Sequence, residues 1–151
     1  MGLDMYLHAK RYLSSFNAED KALAETIKAE RVKGMSVLGD VKYIECEAVY
    51  WRKANQIHKW FVDNVQDGED DCKSYYVSIE QLKALHGLCE AVLLDRTKAE
   101  ELLPFATGFF FGSDAYDEGY FDDVEYTKTR LQALIECTDL EGWSFEYTAS
   151  W

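Results

Sequence analysis

The chain has 151 residues, 48% of them hydrophobic and 15% aromatic, with a formal net charge of −12. That length suits one domain, 1–151, with a core of its own, and the aromatic content argues against disorder. No stretch approaches the roughly 20 apolar residues of a membrane span. The N-terminal run is interrupted by Asp4 and lacks a small-residue cleavage site, so it does not read as a signal peptide.

The charge is unevenly spread. Residues 1–60 carry 10 Lys+Arg against 8 Asp+Glu, and residues 61–151 carry 6 against 20. Repulsion from phosphates argues against direct nucleic-acid binding by the second part. An acidic surface of this kind is steered towards a basic partner, or simply keeps the chain in solution. Cys46, Cys72, Cys89 and Cys137 form no C-x-x-C pair. Their spacing speaks against zinc and against a small disulfide framework, and for reduced cytoplasmic thiols with no cofactor.

In chain order, Leu3 to Leu13 is rich in aromatic and aliphatic residues and predicts a strand. Asn17 to Lys33 predicts an exposed helix with a thin apolar stripe, followed by a loop between Gly34 and Gly39. Val41 to Tyr50 alternates imperfectly and leans towards a strand. From Tyr50 to Val65 the residues Tyr50, Ala54, Ile57, Phe61 and Val65 fall at helical steps, and Asp67-Gly68 ends that helix with turn chemistry. Tyr75-Tyr76-Val77 is a short strand. Ser78, with Gln81 three residues on, predicts a capping box for a helix that buries Ile79, Leu82, Leu85, Cys89, Val92 and Leu93. Lys98 to Leu103 is a short turn stopped by Pro104, and Gly108 to Gly112 a glycine-bounded aromatic strand. Asp117 to Cys137 predicts a last helix with Tyr120, Val124, Thr127, Leu131 and Leu134 inward. Trp143, Phe145 and Tyr147 then alternate as a closing strand. The expected fold is α+β: a small, mostly antiparallel sheet with N- and C-terminal strands, packed by three to four helices.

Two kinds of site stand out. The first is the polar stretch YWRKANQIHKWFV, residues 50–62. As a helix it stacks Trp51, Asn55 and His58 along one flank of the buried face, with Lys53 and Trp60 along the other. Arg52, Gln56, Lys59 and Asp63 then point outward. Arg52, Lys53, Asn55, His58 and Trp60 form a candidate ligand set in which the cations meet an anion. The plain alternative is a structural histidine among boundary residues.

The second is acidic. Asp67, Glu69, Asp70 and Asp71 form one cluster, and Asp114, Asp117, Glu118, Asp122, Asp123 and Glu125 another. The first fails the calcium-loop pattern. The second exceeds what helix capping requires. No G-x-S-x-G, phosphate-cradling glycine loop or metal motif occurs.

Several blocks read as one signature: Met1 to Leu7, Tyr50 to His58 with Lys59 to Val62, Asp70-Asp71-Cys72, Leu102-Leu103-Pro104, Gly108 to Ser113, and Ser150-Trp151. Together they resemble a group of small proteins encoded by bacteriophages and their bacterial hosts. The resemblance implies a phage or prophage accessory protein working in the bacterial cytoplasm, and carries over no activity or catalytic residue.

Three readings follow. The leading one is a non-enzymatic protein that binds and inhibits a host defence factor with a basic surface, for example a nuclease, through the two acidic clusters, in the manner of anti-CRISPR proteins. The second is a binder or sponge of a small nucleotide-like ligand at Arg52–Trp60, with Phe110 or Trp151 for stacking. The third is a hydrolase using His58 with Asp70 or Asp71.

Overall fold

The computed structural model describes residues 2–29, 39–106, 108 and 112–151. Its elements are β1 (Asp4–Tyr12), α1 (Ala18–Ala29), β2 (Tyr43–Arg52), α2 (Asn55–Asn64), β3 (Tyr75–Val77), α3 (Ile79–Leu94), α4 (Ala99–Leu102), α5 (Glu118–Glu136) and β4 (Trp143–Ser150). The strands form one antiparallel sheet in the order β2-β1-β4-β3. The N- and C-terminal strands pair along their length, from Asp4 opposite Ser150 to Arg11 opposite Trp143. The fold is α+β, as the sequence predicts.

Alternation decides which face of the sheet is covered. Leu3, Met5, Leu7 and Ala9 are buried, as are Phe145, Tyr147 and Ala149, and these side chains meet the helices. The opposite face is polar and internally paired. Lys10 reaches Glu146 at 2.6 Å, His8 reaches Glu45 at 3.1 Å, and the Tyr50 hydroxyl donates to Asp4 at 2.5 Å.

The imperfect alternation of β2 has a physical cause. Leu7 pairs with Val49 but His8 pairs with Glu47, so Ala48 is the extra residue of a bulge. The bulge buries Ala48 and Val49 in succession, and the Ala48 carbonyl accepts from Arg130 at 2.7 Å.

The polar helix starts later than its periodicity predicts. Tyr50, Trp51 and Arg52 still belong to β2, and Lys53 turns the chain with φ +60°. Trp51 therefore packs from the strand, not from the helix flank, and its indole nitrogen donates to Thr127 of α5 at 2.8 Å. Gln56, expected outside, is 3% exposed, because the start of α5 lies over that side of α2.

The predicted capping box is present: the Ser78 hydroxyl accepts from Gln81 N at 3.1 Å, and the Gln81 side chain accepts from Ser78 N at 2.9 Å. Leu82, Leu85, Cys89 and Val92 are buried beneath it. On α5, Tyr120, Phe121, Val124, Thr127 and Leu131 face inward. Helix α1 is exposed along most of its length, as expected. The end of that predicted helix, the loop after it and the aromatic run Phe109 to Phe111, with Phe110, lie outside the described residues.

Candidate functional site

Helix α2 carries most of the polar stretch, and six of its ten residues are buried. It is held between the sheet and α5, so the candidate ligand residues separate. His58 is 0% exposed, Asn55 2% and Trp60 7%. The Asn55 amide donates to the Ser113 carbonyl at 2.7 Å, and the Trp60 ring packs edge-on against Phe61. These three side chains serve the interior, while Arg52 and Lys53 remain exposed at the β2–α2 corner. Trp151, the stacking candidate, lies against the His58 ring with centroids 5.5 Å apart.

His58 is the centre of a buried polar chain. Its Nδ1 stands 2.7 Å from the Tyr147 hydroxyl and its Nε2 3.0 Å from Asp70 Oδ1. A carboxylate only accepts, so Nε2 carries the proton and Nδ1 accepts from the Tyr147 hydroxyl. Burial is the larger influence on the imidazole and pulls its pKa below 6.5, against Asp70, which raises it. Burial likewise pushes the Tyr147 phenol well above 10. The pairing of His58 with Asp70 is the one named for the hydrolase reading. In the structure it is completed by a tyrosine from β4 and has no exposed imidazole surface to offer a substrate.

Tyr147 is the member that sequence reasoning missed. Its inward direction was legible from period-2 alternation, but its partner lies 89 residues away in the chain.

The first acidic cluster is largely occupied by its own loop. Asp70 holds His58, and Asp71 pairs with Lys73 at 2.6 Å, which keeps its carboxyl below the usual range. Asp67 occupies a left-handed turn position, φ +53°, followed by Gly68. The Glu69 carbonyl accepts from buried Gln66 at 2.8 Å.

The second cluster is more open. Asp117 caps α5, accepting from Tyr120 N at 3.1 Å. Glu118 pairs with Arg96 at 2.8 Å, but the side chains are 80% and 52% exposed, so solvent screens the pair. Asp114, Asp122 and Glu125 are exposed and make no ion pair among the described residues. Asp123 differs from its neighbours. Burial, with the Asp122 and Asp117 carboxylates adding, pushes it up to about 6 despite a hydrogen bond from Gln56.

Among the described residues, no group of three or more His, Cys, Asp and Glu side chains is placed to hold a metal ion. No described helix is long and apolar enough to cross a membrane. Comparison of the chain with protein-family models, curated proteins and solved structures gives no match.

Proposed function

We propose that this is a non-enzymatic accessory protein that binds a partner protein with a basic surface through the acidic end of α5. One observation carries the reading. Glu118, Asp122 and Glu125 fall at steps of four and three along α5, and all three are exposed, with Asp114 just before the helix. That spacing stacks them on one helix face, opposite the buried Tyr120, Val124, Thr127 and Leu131. Arg96 meets Glu118 at the exposed edge of this stripe, and Asp114, Asp122 and Glu125 make no ion pair among the described residues. Their unmatched negative charge on a rigid helix is a steering surface for a cation-rich partner.

The loop 67–71 contributes less, because Asp70 and Asp71 are engaged within the molecule. The resemblance to small phage proteins makes a host defence factor of the bacterial cytoplasm the partner to look for. An inhibitor of a nuclease would use the stripe to occupy a surface built for phosphates.

The test is association kinetics against such a partner for the triple variant Asp114→Asn, Glu118→Gln, Glu125→Gln. The association rate should fall on the order of tenfold at low salt and lose most of its salt dependence. An unchanged rate and salt slope would remove the electrostatic reading.

A further inference from the structure

Arg52 and Lys53 face the aspartates of α5 across a cleft of about 380 Å³, whose other lining includes Ser113, Asp117, Asp122 and Asp123. No ion pair closes it: among the described residues, neither Arg52 nor Lys53 has a carboxylate partner. Two long cations and three carboxylates thus line one concavity without neutralising each other.

Both walls are fixed, which keeps the cleft from collapsing onto its own charges. Lys53 N donates to the Leu3 carbonyl at 2.8 Å, and the Lys53 carbonyl accepts from Asn55 N at 2.9 Å. Gly112 packs so close that an added Cβ would stand 3.0 Å from the Lys53 Cβ. On the other wall, buried Gln56 donates to the Tyr120 carbonyl at 3.2 Å and hydrogen-bonds Asp123, while Asp117 caps the first turn. An anchored backbone on the basic wall and hydrogen-bonded carboxylates on the acidic wall lower part of the ordering cost that a ligand meets. The exposed Arg52 and Lys53 side chains order on binding.

From this arrangement we infer that the cleft binds a small zwitterion, with its anionic group on Arg52 and Lys53 and its ammonium group on Asp122 and Asp123. A lone anion leaves the aspartates unanswered and meets their repulsion; a lone cation meets the same obstacle at Arg52 and Lys53. Only a ligand carrying both charges uses both walls. The cleft shares Asp122 with the docking stripe, but Asp114, Glu118 and Glu125 do not line it, so variants at those three positions test the stripe and leave the cleft intact. Asp123 adds a pH signature: its carboxyl sits at about 6, so taking up an ammonium group releases its proton and affinity rises from pH 5 to pH 7.

The experiment is calorimetric titration of the full chain with 4-aminobutyrate, 6-aminohexanoate and phosphoethanolamine, against butyrate, inorganic phosphate and butylamine as singly functional probes. At least one zwitterion should bind tenfold or more tighter than the matching single-charge probes. Arg52→Gln with Lys53→Met, and separately Asp122→Asn with Asp123→Asn, should each weaken that binding at least tenfold in variants that unfold cooperatively. Lys59→Met, outside the cleft, should not change it. Binding of butyrate, phosphate or butylamine as tight as the zwitterions, or no binding across the series, overturns the proposal.

Discussion

The Tyr147 hydroxyl donates to Nδ1 of His58 across 2.7 Å, joining the C-terminal strand to the first helix packed on the sheet. The same imidazole reaches Asp70 in the loop beyond that helix. One buried ring therefore ties the helix and the loop that follows it to a strand 89 residues further along the chain.

Removing the hydroxyl alone tests that tie. Tyr147→Phe keeps the ring that stacks on Phe61 at 3.9 Å but removes the hydroxyl that donates to His58 Nδ1. A buried acceptor stripped of its partner costs about 1–3 kcal/mol. Urea denaturation should show a lower midpoint with an unchanged slope; an unchanged midpoint would mean that the bond contributes nothing net.

The pH dependence follows from the depressed His58 pKa. Above 6.5 the imidazole is neutral in folded and unfolded chains alike, and its contribution is complete. As pH falls below 6.5 the unfolded chain takes up a proton that the folded chain resists, so stability declines towards the folded pKa. His58→Gln should flatten that part of the stability–pH curve, measured by chemical denaturation between pH 7 and pH 5. A curve parallel to that of the wild type would contradict the assignment.

Asp123 acts with the opposite sign. Its folded pKa of about 6 lies above the ordinary 3.8, so its contribution is complete below 3.8 and is lost as pH rises to about 6. Asp123→Asn should therefore be more stable than the wild type at pH 7, with the gain vanishing below about pH 4. Thermal melts at the two pH values check this, and a loss of stability at pH 7 would contradict it.

The contact between β2 and α5 makes a separate prediction. Thr127→Val preserves volume but removes the acceptor of the Trp51 indole N–H, where Trp51 is 2% exposed. The expected loss is about 1–3 kcal/mol, from a buried donor left unpaired. Denaturation followed by tryptophan fluorescence would report it, and a neutral effect would show that the donor finds another partner.

Much of this fold was legible because its signals are local. Aromatic and aliphatic richness placed β1, period-2 alternation placed β4, and the Ser78–Gln81 box placed the start of α3. The boundary between β2 and α2 was not legible. Tyr50 lies four residues before Ala54 and so fits the helical step, yet Tyr6 pairs with Tyr50 across the sheet and holds it in a strand. Tertiary pairing overrides periodicity there.

The site was legible only in part, for the same reason. Arg52, Lys53 and the aspartates of α5 were all singled out, but as two unrelated groups. That they line one cleft depends on α5 packing over α2, a relation between residues some 60 positions apart. Asn55, His58 and Trp60 share the polar stretch yet turn inward, because α2 is covered on two sides.

The most direct test of the docking proposal is quantitative co-purification from bacterial lysate at low ionic strength, comparing three forms of the chain. These are the wild type, the Asp114→Asn, Glu118→Gln, Glu125→Gln variant, and an Asp67→Asn, Glu69→Gln variant in the loop. A basic protein should be retained by the wild type and the loop variant, released by salt, and lost from the α5 variant. Equal retention by all three would contradict the assignment of binding to the exposed stripe of α5.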